Sequence, residues 1–390
     1  MNRALAFLGL ALAALLAAPA WALDPLPDVV QEPGYVEWTL PADQPMVRLE
    51  DALAGLRTSD PIRHEETLKA LGFYREDRGR GEVAYPEFDE PIQATAQFLG
   101  FQRRKLAVLT APELGRRRWY AVLLRQDGNG ERPWRAFQVF RFETDPERGL
   151  PIAFPDILGD DIRFWEVKHI VQDDIFGRVQ VATLFRYDEE GQMRRVFQEE
   201  DRAYITAKFM GHSLRLTETL EFPGDQSIRR RVTVESYPWM RNEEFEHYLD
   251  VPSSEAPPAK VIHFSERFTW DPADFDFYAD SQELDKLLHA RSEFVRRDAA
   301  RRLGEHLKTA PRRMAEAVWR DKSPLVRIQV ALALAAIGDP SALPSVDKAL
   351  RNWNEDTAVI QALDLAKDRL ERAKAASAQP AAPGAAPAGD

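Results

Sequence analysis

Three stretches near the C-terminal end of the chain align without a gap: residues 295–303, 326–334 and 357–365, each 31 residues after the last. Val295, Ala299 and Leu303, then Val326, Val330 and Leu334, fall at i, i+4 and i+8, which makes one apolar stripe on a helix. Ala300, Ala331 and Ala362 recur at one place, where a small residue lets a neighbouring helix come close. Second helices are expected over 312–320 and 344–353, with breaks at Gly304, Pro311, Pro324 and Gly338-Asp339-Pro340. Two short helices cannot bury an apolar stripe alone, so units of this kind must stack.

Upstream the period changes to two and aromatic residues become frequent, which is the signature of strands. Strands are expected over 119–125, 134–142, 164–171, 179–187, 203–209, 214–222, 228–237 and 261–270. Short turns such as Asp188-Glu189-Glu190-Gly191 and Pro223-Gly224-Asp225 join them, which favours an antiparallel meander. Before them, 47–56 and 60–71 read as two short helices, with Pro61 in the first turn of the second. The fold class is therefore α+β and multidomain: an antiparallel β-rich domain, sandwich or barrel-like, followed by a short α-solenoid of helical hairpins. The expected divisions are a signal peptide over 1–22, a Pro-rich lead-in and short helical segment over 23–118, the β-rich domain over 119–280, the repeats over 281–372 and a disordered Ala/Pro tail over 373–390.

The signal peptide is read from Arg3, the apolar run 4–18 and Ala20-Trp21-Ala22 as a cleavage site. Pro19 closes that run short of the roughly 20 residues a membrane span needs. The expectation is an exported protein, periplasmic or else secreted, with no integral membrane segment once the signal is removed. The chain has no cysteine, which rules out disulfides, thiolate metal sites and a cysteine nucleophile.

The repeat resembles the HEAT-like family, in the short form named after phycobilisome-lyase repeats. The residues that carry the likeness are Ser323-Pro324-Leu325-Val326-Arg327, 331–338 and Asp339-Pro340-Ser341-Ala342-Leu343-Pro344. The resemblance implies an α-solenoid that binds partners along a surface, and it transfers no lyase chemistry. The third copy departs from the pattern, with Thr357-Ala358 where the others have Val-Arg, which suits a terminal capping repeat.

The formal net charge is −11, yet residues 281–372 hold 17 Lys+Arg against 14 Asp+Glu. The excess is concentrated between Arg291 and Arg327. Arg296, Arg297, Arg301, Arg302, Arg312, Arg313 and Arg327 are the candidate binding residues, as a patch facing an anionic partner. The competing reading pairs them with Glu293, Asp298 and Glu305 or docks them on the chain's own acidic domain. Nucleic acid is not expected as a partner, given the compartment and the total charge.

Other candidates are weaker. Asp127-Gly128-Asn129-Gly130-Glu131 has calcium-loop spacing at first, but Arg132 and Gln138 stand where the loop needs Gly and Glu, and a hairpin turn explains it. Glu244 and His247 make a lone E-x-x-H. Asp160-Asp161 and Asp173-Asp174 read as solvated turns, and the aromatic residues from Trp134 to Trp165 as sheet core. No metal, cofactor or catalytic residue is assigned. The favoured function is a non-enzymatic interaction scaffold that binds a protein or an anionic envelope component. The alternative is an envelope-polymer hydrolase, or a carbohydrate- or lipid-binding protein, with its site in the β-rich domain.

Overall fold

The computed structural model describes residues 35–378, apart from 74, 78–81, 85–93, 101–104, 114, 116, 127–132, 147–148, 174–176, 208–211, 239–256 and 353–355. The signal peptide, residues 23–34 of the lead-in, the Asp127–Glu131 turn, Glu244 and His247, and residues 379–390 lie outside the described residues. Of the two short acidic pairs, Asp174 also lies outside them.

The chain opens with β1 (Tyr35–Thr39) and β2 (Met46–Val47), then α1 (Leu49–Leu56) and α2 (Pro61–Leu71). Asp60 caps α2 by accepting from the Ile62 N–H at 3.1 Å, and Gly72 ends it at φ 73°, where a side chain would be strained. A small hairpin follows, β3 (Arg75–Asp77) and β4 (Glu82–Ala84). Then come β5 (Thr95–Gly100), β6 (Lys105–Pro112), β7 (Arg118–Gln126) and β8 (Trp134–Glu143). These four form an antiparallel meander, and β1 and β2 pair with β8 to complete the first sheet.

The second sheet is one continuous meander of seven strands. Its members are β9 (Ile152–Ala153), β10 (Trp165–Asp173), β11 (Gly177–Tyr187), β12 (Met193–Ala207), β13 (His212–Glu221), β14 (Ser227–Pro238) and β15 (Lys260–Thr269). The helices follow: α3 (Asp280–His289), α4 (Glu293–His306), α5 (Arg312–Arg320), α6 (Pro324–Ile337), α7 (Leu343–Leu350) and α8 (Thr357–Ala378). The three aligned stretches lie in α4, α6 and α8, which pack side by side in order, with α3, α5 and α7 as a second layer.

Strand structure starts far before residue 119. Residues 35–112 supply β1 to β6, and the two short helices pack on one face of the first sheet, where Leu56, Leu68 and Leu71 meet Tyr120, Val122 and Leu124. The expected lead-in segment is thus part of the β-rich body. β6 is buried on both faces and its run 106–111 neither alternates nor carries an aromatic residue, unlike the similarly buried β7 and β8.

The second sheet uses one face twice. In β11, Phe185 and Tyr187 pack with Phe137, Phe140 and Phe142 of the first sheet. Val179 and Val181, on the same side of the same strand, pack instead with Phe294 of α4 and Leu325 of α6. The body is a sandwich over the β10–β11 end only. Toward β15 the helical hairpins take the place of the facing sheet. The aromatic residues Phe137, Phe140, Phe142, Phe164 and Trp165 are buried as core.

Gly304 does not break a helix. It lies inside α4, and a Cβ there would come within 2.7 Å of the Ala333 Cα of α6. The position needs glycine for close approach rather than for a turn. Gly304→Ala should therefore lower stability by roughly 1–3 kcal/mol, the usual cost of overpacking. Urea denaturation of the full chain reads this directly. An unchanged midpoint would show that α4 and α6 do not approach this closely.

Candidate functional site

Two elements bring charge to the face that the sheet shares with the helices. In β14, Ile228, Arg230, Val232 and Val234 point one way and Arg229 and Arg231 the other. Arg230 sits in a cross-strand row with Leu220 of β13 and Glu266 of β15. On α4, Arg297, Asp298, Arg301 and Arg302 occupy the turn that lies over this row, one helical turn past Phe294.

These residues form one buried ionic network. Arg230, fully buried, donates from Nη1 to Asp298 at 2.6 Å and Glu266 at 2.9 Å, from Nε to Glu218, and lies 3.3 Å from Glu199 through Nη2. Arg302 donates to Glu283 of α3 at 2.7 Å, to Glu199 at 2.7 Å and to Glu266 at 2.9 Å. Arg301 reaches Glu199 at 2.6 Å and Glu305 at 2.7 Å. Arg297 forks onto Glu200, with Nη1 at 2.7 Å from Oε2. The Tyr278 hydroxyl closes the edge, donating toward the Gln198 carbonyl at 2.9 Å.

Charge nearly balances inside the network. Arg195, Arg230, Arg297, Arg301, Arg302 and the half-buried Lys286 face Glu199, Glu200, Glu218, Glu266, Glu283, Asp298 and Glu305. One carboxylate is in excess. Burial pushes the Glu218 carboxyl up to about 8, with Glu199 and Asp201 adding to the push against the pull of Arg230. A proton on Glu218 at neutral pH removes the excess. Burial works against Glu199 as well, but Arg230, Arg301 and Arg302 outweigh it and hold that carboxyl well below the ordinary range. Nearby, burial raises Asp276 to about 7 although it accepts the Phe277 and Tyr278 N–H groups.

The seven arginines expected to form one patch are divided by the structure. Arg297, Arg301 and Arg302 are buried against the chain's own acids, so an external anion does not reach them. This corrects the expectation of a single solvent-facing patch: the acidic body of the chain itself supplies the anions. Arg296 is half-buried, holding Asp321 through two nitrogens at 2.8 and 3.0 Å and the Ala290 carbonyl at 2.9 Å. Arg327, its equivalent one repeat later, donates to the Asp321 carbonyl at 2.7 Å. Each therefore ties down the carbonyl six residues before it, and the Val-Arg pair of the repeat closes a loop. Only Arg312 and Arg313 stay exposed, on α5.

Glu199, Glu200, Glu218 and Arg230 were not singled out from the sequence. The one available signal was that Arg230 alternates with Ile228, Val232 and Val234 on an otherwise apolar face. Asp160 is structural: it pairs with Arg186 and accepts the Ile162 N–H at 3.1 Å. A recess lined by Thr144, Asp145, Pro151, Lys168, His169 and Gln180 has room for about one water, near 10 Å³. Among the described residues, no group of three His, Asp or Glu is placed to hold a metal ion. None of their helices is long and apolar enough to cross a membrane.

A family model described as HEAT repeats matches residues 282–364. The C-terminal helical hairpins are HEAT-like repeats, and the match covers α3 to the first turns of α8. No curated protein matches the chain. The HEAT-like repeats are the kind of surface that serves protein–protein interaction.

The network sets a pH dependence. Glu218 holds its proton more tightly folded than unfolded, so its contribution to stability is complete below about pH 4.5 and is lost as pH rises to about 8. Asp276 acts in the same sense up to about 7. Glu218→Gln should thus flatten the decline of the denaturation midpoint between those limits. A variant that declines as steeply as the parent would show that Glu218 is ionised throughout. Arg230→Met should cost about 3–5 kcal/mol, because it leaves Glu199, Glu266 and Asp298 buried without their shared partner. Urea unfolding at pH 7 measures it.

Proposed function

We propose that this chain is a non-enzymatic interaction scaffold of the periplasm, in which HEAT-like repeats bind a protein partner. The observation that carries the reading is how the repeats divide their surface. The first repeat spends its polar side on the sheet, through Arg297, Arg301 and Arg302. The outer sides of α5, α7 and α8 remain open, with Arg313, Lys348, Gln361 and Asp364 exposed. A rigid mount with an open helical face suits capture of a partner better than turnover of a substrate. The ionic network supports the same reading: its carboxylates are neutralised and sealed, so they are not free to act as acid or base on a bound molecule. The compartment rests on the n-region, apolar run and Ala20-Trp21-Ala22 of the sequence.

Cross-linking and pull-down from an envelope fraction tests this with the full chain and two surface variants. One carries Arg313→Glu, Lys348→Glu and Asp364→Lys on the repeats. The other carries Arg231→Glu and Arg267→Glu on the outer face of the second sheet. Partners should be lost in the first variant and kept in the second. Loss only in the sheet variant would place recognition in the β-rich body and overturn the reading. Cell fractionation of the tagged chain should give a periplasmic band, and a cytoplasmic one would remove the compartment from the proposal.

A further inference from the structure

The outer layer of the repeats carries a cluster of cations that are held in place. On α5, Arg312, Glu316 and Arg320 lie at i, i+4 and i+8, along about 12 Å of one helix edge. Glu316 pairs with Arg312 at 2.9 Å and with Arg320 at 3.1 Å. The neighbouring helix α7 brings the Lys348 ammonium to 3.3 Å from the centre of the Trp319 ring, and the Arg320 guanidinium lies 4.7 Å from it. An indole ring attracts cations held this close through its π system. Arg313 is exposed beside them and makes no ion pair among the described residues.

We propose that this ridge of α5 and α7 is a docking surface for an acidic protein segment, whose carboxylates meet Arg312, Arg313, Arg320 and Lys348. The proposal rests on the scaffold reading and names the chemistry of its partner. Three features favour it. One carboxylate, Glu316, serves two arginines, so the cluster keeps an excess of positive charge. Arg312, Arg320 and Lys348 are already ordered by Glu316 and Trp319, which lowers the entropy that binding would otherwise cost. Arginine forks match carboxylates geometrically, two bonds to one group. A lipid surface fits less well. Among the described residues the exposed large apolar ones, Val36, Met46, Ile62, Phe98 and Val261, all lie in the β-rich body, and on the ridge Trp319 is half-buried beneath its cations rather than free to insert. The same cations would attract anionic lipid by charge alone, and the test separates the two.

The experiment measures fluorescence anisotropy of a labelled decaglutamate peptide with the full chain at low salt. The variants are Arg313→Glu with Lys348→Glu on the ridge, and Arg231→Glu with Arg267→Glu on the sheet as a control of equal charge change. The ridge variant should bind about tenfold more weakly or worse, the control within about twofold of the parent, and parent binding should weaken steeply with salt. Circular dichroism melts confirm that each variant is folded, and Arg313→Gln alone gives a milder second reading of the same loss. Equal losses in ridge and control variants would overturn the proposal, since bulk charge would then be enough. So would binding to vesicles of phosphatidylethanolamine and phosphatidylglycerol that the ridge variant abolishes while peptide binding is unchanged. If the parent ignores the peptide yet still recovers envelope proteins through its repeats, the acidic partner is wrong and the scaffold stands. If no partner depends on the repeats, the scaffold reading itself is wrong.

Discussion

Arg230 is the point on which the two halves of the molecule meet. It is an arginine without solvent contact, placed among Ile228, Val232 and Val234 on the buried side of its own strand. Taking such a group out of water costs several kcal/mol before any partner is counted. The cost is met only because Glu218 and Glu266 come from the neighbouring strands and Asp298 from the helix above. No single element could supply that set. The sheet must be in register, and α4 must sit over β14, before the charge is satisfied. Phe294 and Leu325 provide ordinary apolar adhesion next to it. Adhesion of that kind tolerates sliding, and a fork of hydrogen-bonded charges does not.

The same logic separates what could be read in the sequence from what could not. Elements with one-sided burial, β13, β14 and β15, were legible from their alternation. β7, β8 and β11 are buried on both faces along most of their length and were legible through their aromatic residues, and α1 and α2 through their helical spacing. β12 was read from residue 203, whereas it starts at Met193. The missed part runs Arg194-Arg195-Val196-Phe197-Gln198-Glu199-Glu200-Asp201 and resembles a solvated loop. Glu199 and Glu200 are buried because their partners, Arg297, Arg301 and Arg302, come from about a hundred residues away. A local pattern cannot register a neutralisation that is supplied from another part of the chain.

The candidate site failed to appear as one patch for the mirror image of that reason. Eleven basic residues within 37 look like a surface when the acids that answer them are elsewhere. The sequence did offer the right alternative, docking on the chain's own acidic domain. Choosing between the two needed the knowledge that Arg297, Arg301 and Arg302 share the sheet-facing side of α4 while Arg312 and Arg313 face outward. Gly304 was misread in the same way, as a stop signal, because its role depends on a backbone 29 residues later.

The loop-closing arginines of the repeat carry a consequence for how such a chain grows. Arg296 and Arg327 do the same work in successive copies, so that part of the unit is portable. The arginines at 297, 301 and 302 have no counterparts in the second copy, where Ile328, Leu332 and Ala333 stand. The first unit is therefore keyed to the sheet and cannot trade places with its neighbour. Duplication can lengthen the array only on the far side of that unit. The solenoid has a fixed root and one direction in which to extend.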